Sequence, residues 1–219
     1  MKTRMLLAAA LFAGAVPLQP AAADTPVLHP VEEVCIRFAM TGQLMNGTTL
    51  RCHRKYGFEQ FEIQDVEMGI GNIKQKQKQH TITIGDTVYA VDKAAMTGTK
   101  TQNPMYQTLV EAMKGRSPEE FGRAFMLSMG FAPTGERKSI AGHECEVFSS
   151  AGLGGACISP DGLTLEQDAL GSKMVAVEID FDGGSDENYR LYEQVEIREG
   201  PDLSNGLNIQ DLVKQLQNK

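Results

Sequence analysis

The sequence contains no tryptophan, only four cysteines, and fewer basic than acidic residues. Its 21 Lys and Arg residues are outnumbered by 28 Asp and Glu, which leaves a net charge of −7. Such an acidic balance argues against nucleic-acid binding and against adhesion to anionic lipid. Beyond the N-terminus, no apolar run reaches the 18 residues of a membrane-spanning helix. The sequence therefore predicts a soluble protein with no membrane span and no nucleic-acid partner.

Recognisable catalytic motifs are also absent. The sequence has no Gly-x-Ser-x-Gly, no phosphate-binding loop ending in Gly-Lys-Ser/Thr, no His-Glu-x-x-His and no Cys-x-x-Cys. His143 and Cys145 would share one face of a strand, but a metal site needs a third ligand. We therefore expect a noncatalytic protein with no cofactor and no metal. A hydrolase or a metal-binding protein is the minority hypothesis.

The N-terminus has the pattern of an export signal. Lys2 and Arg4 precede an apolar stretch over residues 5–16, and Ala21-Ala22-Ala23 forms a small-residue cleavage site. No cysteine lies in the cleavage zone, so no lipid anchor is expected. The pattern predicts a signal peptide over residues 1–23, cleavage after Ala23, and a periplasmic mature chain. That chain has 19 basic and 28 acidic residues, a net charge of −9.

Most of the mature chain alternates between apolar and polar residues, the period of a half-buried strand. Residues 33–41 show the pattern best, and Asn46-Gly47 after them is a typical hairpin turn. Further strands are predicted over residues 48–55, 58–68, 80–84, 87–92, 144–149, 155–158, 163–165, 173–181 and 189–197. Between two of them, Lys and Gln alternate over residues 74–79. This stretch is either an exposed strand whose lysines deter edge pairing or a basic stripe that docks an acidic partner.

Helical spacing replaces this alternation after Pro104. One helix is predicted up to Gly115, and a second begins at Ser117, where Glu120 completes a capping box. The second helix carries an apolar stripe of Phe121, Phe125, Met126 and Met129. A last helix is predicted over residues 208–216, with Asn208 as its cap.

Four cysteines in an exported chain predict two disulfides. Cys145 and Cys157 flank a hairpin centred near Ala151, so antiparallel pairing would place them face to face. Cys35 and Cys52 remain, but a two-residue turn at Asn46-Gly47 would set Cys52 opposite Thr41. Either that turn is longer or bulged, or the two strands are not simple neighbours.

The order of strands, helices and strands predicts one α+β domain over residues 24–219. We expect a curved antiparallel sheet, a half-barrel, with helices covering its concave face.

Several segments resemble an uncharacterised family of exported bacterial proteins. They are Lys74-Gln-Lys-Gln-Lys78, Ile84-Gly-Asp-Thr-Val-Tyr-Ala-Val-Asp92, Thr97-Gly-Thr-Lys-Thr-Gln-Asn-Pro104 and Lys138-Ser-Ile-Ala-Gly-His-Glu-Cys145. Members of that family are similar to the periplasmic lipoprotein-carrier and receptor fold, the LolA/LolB type. The resemblance implies a half-barrel of antiparallel strands closed by helices over an apolar cavity. In that fold the cavity can hold acyl chains or a hydrophobic segment of a partner.

The helical stripe and one strand supply the candidate ligand site. We expect Phe121, Phe125, Met126 and Met129 to form a hydrophobic lid that opposes Val175, Val177 and Ile179 on the sheet. The alternatives are that these residues complete the core or form a protein interface. The lid hypothesis predicts a noncatalytic protein that binds a lipid, an acyl chain or a lipidated protein in the concave face of the sheet. The alternative is an envelope partner-binding or stress-related module with a filled core.

Overall fold

The computed structural model of this chain describes residues 26–42, 45–70, 73–103, 106–128, 130–150, 152, 154–169, 171–191 and 193–200. The signal peptide with its cleavage site, and the last predicted helix with its cap Asn208, lie outside the described residues. They stay predictions.

The first half of the chain forms an antiparallel meander of six strands. These are β1 (Val34–Gly42), β2 (Met45–Arg54), β3 (Glu59–Ile70), β4 (Ile73–Ile84), β5 (Thr87–Asp92) and β6 (Thr97–Gln102). Each pairs with the next strand in the chain. Neighbouring strands in sequence are thus neighbours in space, as short connections require.

Two helices, α1 (Tyr106–Met113) and α2 (Pro118–Ser128), follow this meander. The predicted capping box of α2 is confirmed. The Ser117 hydroxyl accepts a hydrogen bond from the Glu120 backbone N–H at 3.2 Å, and the Glu120 carboxylate accepts one from the Ser117 N–H at 3.0 Å. These bonds satisfy two donors at the helix N-terminus, which fixes where α2 begins.

The second half adds a five-strand meander and a return to the first. Its elements are β7 (Ala132–Ile140), β8 (His143–Ser150), β9 (Gly154–Ile158), β10 (Thr164–Ala169), β11 (Ser172–Asp180), a 3-10 helix (Asp186–Tyr189) and β12 (Glu196–Glu199).

All twelve strands belong to one sheet, in the order β12-β6-β5-β4-β3-β2-β1-β11-β10-β9-β8-β7. Antiparallel pairing of β1 with β11 joins the two meanders, and β12 lies parallel to β6. The predicted antiparallel sheet is therefore confirmed, and it is open at its two ends. Placement of the helices over a concave face stays a prediction.

The end of the sheet formed by β7–β11 curls. Strands β7 and β11 contact each other although three strands separate them in the sheet order. Glu166 of β10 binds both Lys138 of β7, at 2.9 Å, and Lys173 of β11, at 3.0 Å. A flat sheet could not bring side chains of β7 and β11 to one carboxylate, because sheet neighbours are about 4.8 Å apart.

The predicted hairpin turn at Asn46-Gly47 is wrong. Both residues lie inside β2, and the chain reverses between Gly42 and Met45. The Asn46 side chain donates to the Gly42 carbonyl and accepts from the Gly42 N–H, so it braces the end of the hairpin. Gly47 is needed in the strand because its φ is +152° and a Cβ there would lie 2.2 Å from the Asp65 carbonyl oxygen.

Three further strand assignments differ from the sequence predictions. Strands β6 and β7 had no predicted counterpart, because their residues are mostly polar and show no apolar alternation. The strand predicted over residues 189–197 is wrong. Tyr189 ends the 3-10 helix, and only Glu196–Glu199 pairs with the sheet.

Two of the three lysines of β4 form ion pairs with carboxylates on β3. Lys74 binds Glu67 at 2.7 Å and Lys78 binds Asp65 at 3.0 Å. Pairing with β5 begins only at Gln79, so residues 73–78 extend beyond that neighbour. This arrangement supports the interpretation of an exposed strand whose lysines deter edge pairing.

Both disulfides are present, Cys35–Cys52 and Cys145–Cys157. Cys35 lies directly opposite Cys52 in the β1–β2 hairpin. In the second hairpin the residue opposite Cys157 is Val147, so Cys145 reaches Cys157 as a diagonal neighbour, with 5.4 Å between the Cα atoms. The predicted pairing is confirmed, whereas the predicted face-to-face register is off by two residues.

Each disulfide lies in its own apolar cluster. The first cluster comprises Val34, Ile36, Phe38, Ile140, Cys145, Cys157, Leu163, Leu165 and Ala176. The second comprises Cys35, Cys52, Phe61, Ile82 and Tyr189. The clusters draw on alternate residues of β1, so the start of this strand, Val34–Ile36, is buried on both faces, whereas Arg37 is exposed.

Residues 181–191, which we call the crossing segment, cover the second cluster. The Tyr189 ring packs edge-on against Phe61 at 4.8 Å, and the Arg54 guanidinium lies 4.1 Å from its centroid. The Tyr189 hydroxyl donates to the Gly183 carbonyl at 2.7 Å. Gly184 has a φ of +76°, and a Cβ there would lie 2.8 Å from the Cys35 sulfur. The segment thus fits closely over the Cys35–Cys52 disulfide.

Removing the Tyr189 hydroxyl should destabilise the fold. Burial raises the pKa of Tyr189, so its hydroxyl stays protonated and donates to the Gly183 carbonyl. We expect Tyr189→Phe to lower the free energy of unfolding in urea by about 1 kcal/mol, because the carbonyl loses its donor. Tyr56→Phe is the matched control, since Tyr56 is 36% exposed, and it should change stability by less than about 0.5 kcal/mol. Equal losses would contradict the close fit of the crossing segment.

Removing the Cys145–Cys157 disulfide should lower the free energy of unfolding by more than the loss of the Tyr189 hydroxyl does. The bridge closes a loop with a sequence separation of 12. The chain-entropy model gives about 3 kcal/mol for such a loop, so Cys145→Ala with Cys157→Ala should lower the free energy of unfolding by that amount. Nonreducing peptide mapping should recover the Cys145–Cys157 and Cys35–Cys52 peptides. Four free thiols in the native protein would contradict both pairings.

Candidate ligand-binding groove

A groove of about 590 Å³ lies between α2 and the strands of the curled end of the sheet. From α2 it is lined by Gly122 and Met126 with three charged residues, and from below by β7, β8, β9 and β10. The groove is open along one side. Ligands bind in concave sites of this size, so the groove is the candidate binding site.

Cross-strand pairing builds the floor of the groove. Arg137 of β7 lies opposite Glu146 of β8, Glu146 lies opposite Ile158 of β9, and Ile158 lies opposite Thr164 of β10. Residues directly opposite each other point to the same face, so these four form one row across the sheet. Phe148, two residues after Glu146 and buried, extends the apolar part of the floor.

A tight turn closes one end of the groove. The Ser159 N–H donates to the Leu163 carbonyl at 2.8 Å, and the Leu163 N–H donates to the Ser159 hydroxyl at 3.1 Å. These bonds hold Pro160 at the groove wall. The predicted turn at Pro160-Asp161-Gly162 is thus confirmed, and its rigidity gives the groove a fixed apolar edge.

Arg123 links α2 to the floor. Its guanidinium is 3.6 Å from the Glu146 carboxylate and 5.7 Å from the centroid of the Phe148 ring. The ion pair is partly exposed, so it contributes less than about 1 kcal/mol to stability. The ion pair is therefore a weak contact between α2 and the floor of the groove.

The structure describes two of the four candidate lid side chains, and the lid stays a prediction. Met126 lines the groove. Phe121 is half-buried but is not one of the lining residues. The side chain of Phe125 and all of Met129 lie outside what the structure describes, so their place in the lid stays a prediction.

The sheet residues expected beneath the lid do not form one apolar face. Arg37 of β1 lies opposite Glu178, whereas Phe38 lies opposite Ala176, so Val177 is an extra residue in a β-bulge. The bulge leaves Val177 54% exposed. On either side of the bulge, Val175 lies opposite Ala39 and Ile179 lies opposite Ile36, two residues that point to different faces of β1. Both Val175 and Ile179 contact the first core cluster. The strands that line the groove beneath α2 are β7–β10, not β11.

Sequence reasoning missed Phe148 and Ile158 as groove residues. Residues 144, 146 and 148 share one face of the strand and are Glu, Glu and Phe, a pattern typical of a solvent-exposed face. The available signal was the short Gly-rich hairpin from β8 to β9, which keeps the two strands close beneath α2.

Two histidines anchor the chain just before β1. The rings of His29 and His53 stack with centroids 4.3 Å apart, and His53 Nε2 is 2.9 Å from the Val31 carbonyl oxygen. The N–H groups of Leu28 and His29 donate to the Tyr56 carbonyl. Burial, followed by the charges of His53 and Arg51, lowers the pKa of His29 to about 4, and burial also lowers that of His53. Both rings are therefore neutral at pH 7, and the stack is a structural feature.

This stack should make stability depend on pH. Between about pH 4 and 6.5 the unfolded chain binds a proton at His29 that the folded chain does not, so the free energy of unfolding falls as the pH drops. The expected loss for His29 is of the order of 3 kcal/mol at pH 4. His29→Gln should remove most of this slope in urea titrations at pH 7, 6, 5 and 4. His143→Gln, which leaves the stack intact, should preserve it. A slope unchanged in His29→Gln would contradict the assignment.

Among the described residues, no group of three or more His, Cys, Asp or Glu side chains could hold a metal ion. In the same part of the chain, no helix is long and apolar enough to cross a membrane.

No protein-family model matches the chain, and no curated protein matches it in sequence. Among solved structures, an uncharacterized conserved protein from Thermus thermophilus is similar with a TM-score of 0.49 and 9% identity, over 77% of this chain and 91% of that one. MucB is similar with a TM-score of 0.44 and 11% identity, over 81% of this chain and 66% of MucB. Function is therefore inferred from the groove's own residues.

Proposed function

We propose that this chain is a noncatalytic periplasmic protein that binds a hydrophobic ligand, an acyl chain or the lipid of a lipidated partner, in the groove beneath α2. The observation that carries the proposal is a groove of about 590 Å³ with apolar residues from both a helix and the sheet. Ligand pockets in proteins range over about 300–1,000 Å³ and are mostly apolar. The groove fits this class in size and in lining.

The helix over the groove suits a ligand of variable shape. Met126 contributes a flexible and polarisable side chain to the lining. Arg123 makes the one ion pair between α2 and β8 among the described residues, and that pair is partly exposed. Because this ion pair is weak, it would not by itself hold α2 against a shift as a chain enters beneath it.

The two disulfides support the proposed periplasmic location. Both cysteine pairs are oxidised, and disulfides persist in oxidising compartments such as the periplasm. The predicted signal peptide over residues 1–23 would deliver the chain there.

A partner-binding module with a filled core is the second candidate. Leu165 and Cys157 are fully buried in the first core cluster, so side chains fill the interior of the curl. An acyl chain would then lie in the open groove and not inside the sheet. This observation favours a ligand that is only partly covered, such as a segment or lipid presented by another protein.

Binding of an uncharged acyl-chain fluorophore to the delipidated protein tests the proposal. We expect saturable binding that Met126→Asp weakens at least about tenfold, because a carboxylate would have to be desolvated in the groove. Leu127→Asp is the matched control: Leu127 is the next residue in α2, is 49% exposed and does not line the groove. It should bind the probe within about twofold of the native protein. Both variants must retain native circular dichroism.

Two outcomes would contradict the proposal. The native protein could fail to bind the probe, which would leave the filled-core interpretation. Alternatively, Met126→Asp and Leu127→Asp could weaken binding equally, which would place the ligand elsewhere.

A further inference from the structure

The rim of the groove carries more negative than positive charge. Carboxylates line the groove from both sides, Glu119 and Glu120 from α2 above and Glu144 and Glu146 from β8 in the floor. Against these four, the lining contains two guanidiniums, Arg123 and Arg137. The whole chain is also acidic, with a net charge of −7. The rim therefore presents a negative potential to any ligand that approaches the groove.

Two of these carboxylates are available to a ligand. Arg123 is engaged by Glu146, and Glu120 holds the N-terminus of α2 through its hydrogen bond to Ser117. Glu119 and Glu144 are exposed, and neither makes an ion pair within the described ranges. They lie on opposite sides of the apolar floor, one on the helix and the other on the sheet.

The positive charge of Arg137 is offset locally. Arg137 lies directly opposite Glu146 in the β7–β8 pair, so a carboxylate stands beside it across the strands. An anionic group at Arg137 would approach Glu146 as well. The groove is consequently a poor receptor for a phosphate or carboxylate head group.

From this charge pattern we infer that the occupant of the groove is a segment of another polypeptide in which Lys or Arg side chains flank apolar ones. Apolar side chains would cover the floor at Met126, Phe148 and Ile158, and basic side chains would reach Glu119 and Glu144. A lipid with one charged head can engage only one of these two carboxylates. The inference rests on the proposed binding role of the groove and narrows its ligand to a polypeptide.

Tryptophan fluorescence gives a direct test, because the protein contains no tryptophan. The probe is a 12-residue peptide with one Trp, alternating pairs of Leu and Lys, and blocked ends. A second peptide carries Glu at every Lys position. We expect the Lys peptide to bind at least about tenfold more tightly than the Glu peptide at 20 mM salt, with the difference shrinking at 300 mM salt.

Variants of the rim identify the contact. Glu119→Gln combined with Glu144→Gln should weaken the Lys peptide about fivefold, while binding of the uncharged acyl fluorophore stays unchanged. Glu187→Gln combined with Glu193→Gln is the control, since it changes the net charge equally at exposed positions that do not line the groove. It should alter peptide binding by less than about twofold.

The outcomes separate the inference from the proposed function. Binding of the acyl fluorophore without binding of the Lys peptide overturns the inference alone, and so does equal binding of the Lys and Glu peptides. Rim variants that bind like the control overturn it too. Tighter binding to phosphatidylglycerol vesicles than to the peptide, or self-association that buries the groove in sedimentation experiments, would assign the groove to a membrane or a second copy. Failure of both probes overturns the inference and the proposed function together.

Discussion

Pairing between β1 and β11 is the contact on which the rest of the structure depends. It connects two meanders that the helices separate in sequence, and without it there would be two smaller sheets. Apolar side chains lie on both faces of β1, which supplies Val34, Ile36 and Phe38 to one apolar cluster and Cys35 to the other. The bulge at Val177 lies within the same pair of strands. Bulged strands bend and twist more strongly, which fits the curl of the sheet beyond β11.

The two ends of the sheet are completed in different ways. After β11 the crossing segment passes over the Cys35–Cys52 disulfide and delivers β12 to β6, so one face of the first meander is covered by the chain itself. At the curled end, the Cys145–Cys157 disulfide joins β8 to β9, and α2 lies above that hairpin. The disulfide therefore cross-links the floor of the groove, and the partly exposed Arg123–Glu146 ion pair connects that floor to α2.

Local patterns predicted much of the fold. Alternating residues located β1 and β11, the capping box located α2, and hairpin geometry paired Cys145 with Cys157. The errors arose where long-range packing decides the structure. Gly47 belongs to a strand because β3 approaches its backbone, and β7 is a strand because β8 supplies its partners, although its own residues are almost all polar. The groove floor escaped prediction for the same reason, since Ile158 lies beside Glu146 and near Phe148 only through the pairing of β8 with β9.

Hydrogen–deuterium exchange of the native protein, with and without a saturating uncharged acyl fluorophore, tests most directly whether the groove beneath α2 is the binding site. A ligand between α2 and the sheet should slow exchange in peptides from Pro118–Ser128, His143–Ser150 and Gly154–Ile158, and leave the β3–β4 hairpin unchanged. Protection confined to other strands, or no protection at saturating fluorophore, would contradict a ligand-binding groove at this site.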